Sequence, residues 1–124
     1  MQNRFHLAIP SLDIEKSMSF YSKLGLKTGR FNKEFCIIDF FGHQLVCHKV
    51  NKIDKQRSIY PRHFGMVLEP AELEYLKSYC KLLKIESTEF KRYENTPEEH
   101  ETFFIKDPSG NHIEFKTYKD RRVI

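Results

Sequence analysis

Hydrophobic and polar residues follow one pattern that occurs twice along the chain. In the first half, an apolar alternating segment at about residues 5–10 predicts a β-strand. A helix is expected next, because Asp13 is a suitable N-cap and Gly25 a suitable end. The apolar positions of this helix recur at helical spacing and are Ile14, Met18, Tyr21 and Leu24. Three short strands are predicted to follow, at about residues 27–31, 34–40 and 44–50.

The same order of elements starts again after a polar connector at about residues 51–60. A strand is predicted at 62–68, and a helix opens at Pro70, where the missing N–H of proline costs least. The remaining strands are expected at about 86–90, 102–106 and 112–118. Between the last two lies the turn sequence Asp107-Pro108-Ser109-Gly110-Asn111. The pattern therefore predicts one α+β domain over residues 1–124, with βαβββ modules at about 4–50 and 61–119.

The repeat places histidines in equivalent positions. His6 opens the first strand of module one and His63 opens the first strand of module two. Two like units usually pack about a pseudo-twofold axis, so we expect these side chains to face one cleft. Glu114, four residues past the turn glycine Gly110, adds a carboxylate. Two histidines and one carboxylate with open positions are typical of non-haem Fe(II) sites, and a fourth protein ligand would suit Zn, Ni or Mn.

Composition excludes several classes of protein. The 124 residues include 11 Phe and 40% hydrophobic residues, but no apolar run approaches the roughly 20 residues of a membrane span. The N-terminus lacks the layout of a signal peptide, so we expect a cytoplasmic protein with no membrane partner. Three cysteines without CxxC spacing argue against a disulfide framework or a thiolate zinc site. The net charge of +4 is spread out, without a basic face interleaved with aromatics, so no nucleic-acid partner is expected.

Three segments carry a family resemblance: HLAIPSLDIEKSMSFYSKLGL, HFGMVLE and FFIKDPSGNHIEF. Together they resemble the vicinal oxygen chelate superfamily of glyoxalase I, extradiol dioxygenases, fosfomycin-resistance proteins and bleomycin-binding proteins. The resemblance implies paired βαβββ modules in a concave mixed sheet, with helices on its outer face. It also implies one divalent metal (Fe, Zn, Ni or Mn), a small substrate with adjacent oxygens, and a homodimer. On this sequence the implied metal ligands are His6, His63 and Glu114.

Other residues of the same strands are candidates for further roles. Glu114 is also the candidate catalytic group that moves a proton, and Lys116 and Phe64 are the predicted substrate contacts. At the position of a fourth ligand, four residues past Gly42, the sequence has Val46, which cannot ligate. His48 and Gln44 share the face of Val46 in a regular strand, and His48 is the better ligand by type.

Two alternatives stay open at this point. One is a three-ligand site with open positions, and the other is a metal-free protein of the same fold that binds a small molecule or antibiotic. The polar segment at 92–101 is either a solvated loop or a lid over the cleft. His43, His100 and His112 adjoin turns or loops and are expected to be exposed.

Overall fold

The structure, a computed structural model that describes residues 2–123, contains two compact units. Unit 1 runs to Arg57 and also includes Asp107–Asn111, and unit 2 comprises Ser58–Lys106 together with the residues from His112 onward. Each unit has one α-helix and a four-stranded mixed sheet. The predicted α+β class and the repeated βαβββ order are therefore confirmed. The grouping of both modules into one domain stays a prediction.

Unit 1 follows the predicted element order closely. Its elements are β1 (His6–Ser11), α1 (Ile14–Lys23), β2 (Lys27–Phe31), β3 (Phe35–Phe40) and β4 (His43–Lys49). The strand order is β1-β4-β3-β2, with β1 parallel to β4 and the other pairs antiparallel. Asp13 caps α1 by accepting a hydrogen bond from the N–H of Lys16 at 3.1 Å. Gly25, with a φ of 90°, takes up the left-handed conformation that follows the helix.

Unit 2 repeats this arrangement with β5 (Phe64–Val67), α2 (Pro70–Leu82), β6 (Thr88–Arg92), β7 (His100–Lys106) and β8 (His112–Tyr118). A short 3-10 helix, Arg121–Val123, follows. The strand order is β5-β8-β7-β6, with β5 parallel to β8. The apolar stripe of α2 supplies three buried side chains, Leu73, Leu76 and Cys80.

Two expectations about unit 2 are wrong. β6 extends to Arg92 and β7 begins at His100, and these two residues pair, so the irregular segment is shorter than predicted. His100 and His112 are buried, with 7% and 8% exposure, because each is the first residue of a strand. The segment between β6 and β7 is internally hydrogen-bonded: the N–H of Asn95 donates to Glu99 at 2.8 Å, and the hydroxyl of Thr96 donates to the carbonyl of Tyr93 at 2.6 Å.

The turn Asp107–Asn111 packs within unit 1 through a buried carboxylate. Asp107 accepts hydrogen bonds from the hydroxyl of Tyr21 at 2.8 Å and from the backbone N–H groups of Ser109 and Asn111. The side-chain amide of Asn111 donates to Asp107 and to the carbonyl of Pro10. Because Asp107 is 5% exposed, these donors supply the hydrogen bonds that water supplies to an exposed carboxylate.

The three cysteines, Cys36, Cys47 and Cys80, are buried free thiols, as predicted. None of the helices in residues 2–123 is long and apolar enough to cross a bilayer.

Candidate functional site

His63 and Glu114, the two candidate ligands in unit 2, lie close to each other. The Nε2 atom of His63 lies 3.3 Å from Oε1 of Glu114. The two side chains are brought together by the parallel pairing of β5 with β8, in which Gly65 is the partner of Glu114. The carboxylate is nearly enclosed, with 9% side-chain exposure, whereas the imidazole is 27% exposed. The Glu114 carboxylate is therefore the buried member of the pair, and the His63 imidazole is the member that reaches solvent.

The orientation of the His63 ring is set by the backbone. Its Nδ1 atom lies 2.7 Å from the carbonyl oxygen of Ile59, and a carbonyl oxygen only accepts, so Nδ1 carries the proton. In the neutral ring, Nε2 then presents its lone pair towards Glu114. Metal-binding histidines in proteins are commonly held in this way by an acceptor on the other ring nitrogen.

The two atoms of this pair fit one metal ion. Zinc-type ions lie about 2.0–2.2 Å from an imidazole nitrogen or a carboxylate oxygen. Two such bonds at tetrahedral or octahedral angles separate the ligand atoms by about 3.0–3.4 Å, and the observed separation is 3.3 Å. The donor set and its spacing therefore suit a divalent cation.

Glu114 also has a cationic neighbour. The ammonium of Lys116 lies 3.7 Å from the same Oε1 atom and sits over the ring of Tyr118, 5.5 Å from its centroid. Lys116, a predicted substrate contact, lies close to Glu114, but its ammonium is already engaged by these two groups. Phe64, the other predicted substrate contact, pairs with Ile113 and so projects from the sheet face opposite Glu114. The structure therefore does not bring Phe64 to the His63–Glu114 pair.

The backbone at Gly65 passes very close to Glu114. A Cβ atom added at Gly65 would overlap the carbonyl oxygen of Glu114. Position 65 therefore requires glycine because of this close approach, and the absence of a side chain there lets β5 lie against the strand that carries Glu114.

Unit 1 has a corresponding polar row on its own sheet. His6, Gln44, Asp39 and Lys27 are successive Cα partners across β1, β4, β3 and β2. Nδ1 of His6 lies 2.7 Å from Oε1 of Gln44, so this ring also presents Nε2 as its free nitrogen. The row lines a pocket of about 730 Å³, which Arg4 and His43 also border.

The candidates for a fourth ligand are separated by the register of β4. Gln44 contacts His6, whereas His48 pairs with Pro10, four residues further along β1, and is exposed. Four residues of strand span about 13 Å, so His48 does not lie beside His6. Val46 pairs with Ala8 as Glu114 pairs with Gly65, which confirms that valine stands at the equivalent position in unit 1.

Within residues 2–123, no group of three or more His, Cys, Asp or Glu side chains is placed to hold a metal ion. The roles of His6, His63, Glu114 and His48 as metal ligands stay predictions. Sequence patterns missed the Ile59 carbonyl and Tyr60, which contact His63, and Arg92, which contacts Tyr60. Tyr60 lies in the segment assigned to the connector, and Arg92 lies in the segment assigned to a loop, so neither showed a periodic signal.

The chain is similar to known proteins over most of its length. A family model described as the Glyoxalase/Bleomycin resistance protein/Dioxygenase superfamily matches residues 4–115. A solved glyoxalase/bleomycin resistance protein/dioxygenase from Alicyclobacillus acidocaldarius is 42% identical, with a TM-score of 0.93 and with 98% of this chain and 96% of that chain covered. A search of curated proteins finds no match.

More distant structures share the fold alone. A lactoylglutathione lyase from Agrobacterium tumefaciens is 19% identical, with a TM-score of 0.70 and 94% of each chain covered. A fosfomycin resistance protein from Listeria monocytogenes is 12% identical, with a TM-score of 0.78 and with 100% of this chain and 99% of that chain covered. From the family model and the 42% identical structure, the chain belongs to the Glyoxalase/Bleomycin resistance protein/Dioxygenase superfamily.

Proposed function

We propose that this protein is a metal-dependent enzyme of the glyoxalase or dioxygenase type that acts on a small substrate with adjacent oxygen atoms. His63 and Glu114 supply two ligands for one divalent ion, either Fe, Zn, Ni or Mn, and His6 is the third predicted ligand. The observation that carries the proposal is the 3.3 Å contact between Nε2 of His63 and Oε1 of Glu114, with the His63 ring fixed by Ile59.

The bound metal would supply Lewis-acid stabilisation of negative charge that develops on a substrate oxygen. The chain's own groups prepare the site for that role. The Ile59 carbonyl holds the His63 ring in one orientation, and burial of Glu114 keeps bulk water from one side of its carboxylate. We also propose that Glu114 accepts or returns a substrate proton. A carboxylate is a suitable general base when it lies within hydrogen-bonding distance of the substrate group that carries the proton.

Metal uptake by the full chain tests this function. Protein stripped with a chelator and then dialysed against Mn²⁺, Fe²⁺, Ni²⁺ or Zn²⁺ is expected to retain one ion per chain, as measured by elemental analysis. His63→Ala should lose that ion, because loss of a direct ligand costs more than the roughly 10–100-fold in affinity that loss of a supporting partner costs.

His48→Ala provides the matched comparison, because it removes an exposed histidine whose position on β4 is far from that of Gln44. Because the proposed ligand set does not include His48, we expect this variant to keep its metal. A wild-type chain that retains none of the four ions, or a His63→Ala chain that retains them as well as wild type does, contradicts the proposal.

A metal-free binding protein is the second candidate function, and the position of Lys116 favours it. Oε1 of Glu114 faces both the imidazole of His63 and the ammonium of Lys116, so a cation already lies beside the buried carboxylate. In this alternative the site holds a small molecule or an antibiotic without an ion. Small-molecule binding that survives complete removal of metal by a chelator supports this alternative over the enzyme.

A further inference from the structure

His63 belongs to a closed circuit of five side chains in unit 2, each of which contacts the next. Tyr60 meets His63 edge-on at 6.0 Å between ring centroids, and His63 meets Phe104 edge-on at 5.7 Å. Phe104 stacks with Phe90 at 5.9 Å, and the guanidinium of Arg92 lies 4.6 Å from the centre of the Phe90 ring. Arg92 closes the circuit by donating to the hydroxyl of Tyr60 at 3.5 Å. We call these five residues the aromatic frame.

Arg92 is the cationic member of the frame, and most of its donors are unused. The Phe90 ring lies 4.6 Å from its guanidinium carbon, and all but one of its side-chain N–H groups have no acceptor in residues 2–123. The Tyr60 hydroxyl is the one hydrogen-bond acceptor that it meets in residues 2–123, at a long 3.5 Å, and no described carboxylate lies within 4 Å. A half-buried guanidinium with an open edge matches the two oxygens of a carboxylate.

Two members of the frame, Tyr60 and Phe90, give it an accessible aromatic surface. Tyr60 is 60% exposed and Phe90 is 37% exposed, so their rings reach solvent beside Arg92. Flat conjugated groups pack best against such ring edges and faces. A compact anion such as inorganic phosphate makes no use of this apolar area. Charge and shape together therefore favour a planar acid.

Lys116 is the less suitable anchor for such an acid. Its ammonium already faces the Glu114 carboxylate and the ring of Tyr118. A ligand carboxylate at Lys116 would also meet the negative charge of Glu114, whereas Arg92 has no acidic neighbour within 4 Å in the described part of the chain.

We propose that the aromatic frame is a subsite for the planar, conjugated carboxylate part of a ligand, with its carboxylate on Arg92 and its ring system against Tyr60 and Phe90. The inference deepens the proposed function, on which it rests in one respect: the ligand extends from Arg92 along the frame to His63, and so reaches the proposed metal ligands. Arg92 is then a specificity-determining residue for that ligand.

Binding of 2-naphthoate to the full chain tests the subsite, with affinity measured by calorimetry. Cyclohexanecarboxylate, which lacks the conjugated ring, and 2-naphthalenemethanol, which lacks the charge, serve as matched ligands. We expect 2-naphthoate to bind at least about tenfold more tightly than either, because both the stacking and the charge-assisted hydrogen bonds contribute.

Arg92→Leu is expected to weaken 2-naphthoate binding at least about tenfold. Arg92→Lys keeps the charge but loses the paired N–H groups of the guanidinium, and it should also weaken binding. This variant replaces Arg92→Leu in the test if the leucine variant does not fold. Arg30→Leu is the matched control, because Arg30 stacks on Phe35 in unit 1 at 5.5 Å, in the manner of Arg92 on Phe90. This control should bind 2-naphthoate as wild type does.

The subsite and the metal proposal fail separately. Equal affinity in the Arg92 variants and Arg30→Leu, or equal binding of cyclohexanecarboxylate, overturns the subsite whatever the metal content is. If chelator-treated protein binds 2-naphthoate in an Arg92-dependent manner and the chain takes up no divalent ion, the subsite stands and the metal-dependent function falls.

Discussion

Glu114 combines burial, charge and a close backbone contact at one residue. The residue is 8% exposed, and Oε1 of its carboxylate faces the imidazole of His63 and the ammonium of Lys116. Burial of an unpaired carboxylate is costly, and the ammonium of Lys116 is the cation that offsets this cost in the interior of the unit. The position of its backbone depends on Gly65, because the parallel strand pair leaves no room for a Cβ atom at that residue.

Gly65→Ala is predicted to destabilise the protein and to weaken metal binding. The new methyl group would overlap the Glu114 carbonyl, so β5 or β8 must shift and carry His63 away from Glu114. Strain of this kind typically costs about 1–3 kcal/mol in the free energy of unfolding. Urea denaturation measures the loss of stability, and dialysis against Mn²⁺ measures the loss of metal affinity.

Gly29→Ala is the matched control for this substitution. Gly29 also lies in a strand, but a Cβ there would be 3.5 Å from the nearest atom of Ile37, which is an ordinary contact. We expect this variant to unfold at about the wild-type urea concentration and to keep its metal affinity. Equal effects of the two substitutions would show that the close approach at Gly65 has no special importance.

At the scale of elements, helix α1 and the turn Asp107–Asn111 depend on one buried hydrogen bond. Tyr21 is fully buried and donates to the Asp107 carboxylate at 2.8 Å. Burial, and then the negative charge of Asp107, raise the pKa of Tyr21 well above its usual value. The folded protein therefore holds this phenol neutral at pH values where it ionises in the unfolded chain.

Tyr21→Phe is predicted to lower the free energy of unfolding by about 1.5–3 kcal/mol near neutral pH, because a hydrogen bond to a charged group is lost. The pKa of Tyr21 is raised in the folded state, so its contribution is complete below the unfolded pKa of about 10 and is lost as pH rises above it. The difference in stability between wild type and Tyr21→Phe should therefore narrow above about pH 10. Urea denaturation across pH 7–11 measures this difference.

Tyr75→Phe is the control for that series, since Tyr75 is 72% exposed and lies on the outer side of α2. Its stability should follow wild type at every pH. A constant difference between wild type and Tyr21→Phe over the whole pH range would contradict the assigned role of the buried phenol.

The elements that the sequence predicted best are those with strong periodicity. The bounds of β8 agree with the prediction, and α1 begins after Asp13 and ends before Gly25, because caps and apolar spacing are local features. The end of β6 and the start of β7 were missed because β6 is mostly exposed and polar, so no hydrophobic alternation marks Arg92 as a strand residue. Partners at the site were missed for a different reason. Contacts such as Ile59 with His63 involve a backbone carbonyl, which leaves no mark in residue types.

At the scale of the whole molecule, the two units repeat one register with different chemistry. Ala8 pairs with Val46 in unit 1, and Gly65 pairs with Glu114 in unit 2. The repeat could be predicted from the sequence because the same apolar pattern and the same opening histidine recur. The carboxylate occurs in one unit only, so each chain has one His63–Glu114 pair. If His6 joins this pair as the proposed third ligand, each chain supplies the ligands for one site.

The homodimer expected from the family resemblance leads to the final prediction. Large apolar side chains such as Phe5, Phe31 and Leu82 are exposed, and any of them that lay at an interface between chains would be removed from water. We expect sedimentation equilibrium to give the mass of two chains. His6→Ala and Glu114→Ala chains, mixed after unfolding and refolding together, test whether ligands are shared.

In a dimer whose site takes His6 from one chain and His63 with Glu114 from the other, each mixed dimer regains one intact site. We expect the mixture to bind Mn²⁺ where neither parent does. A mixture that binds no more than its parents, in a protein that sediments as a dimer, would place all three ligands in one chain. A protein that sediments as a single chain would contradict the dimer itself.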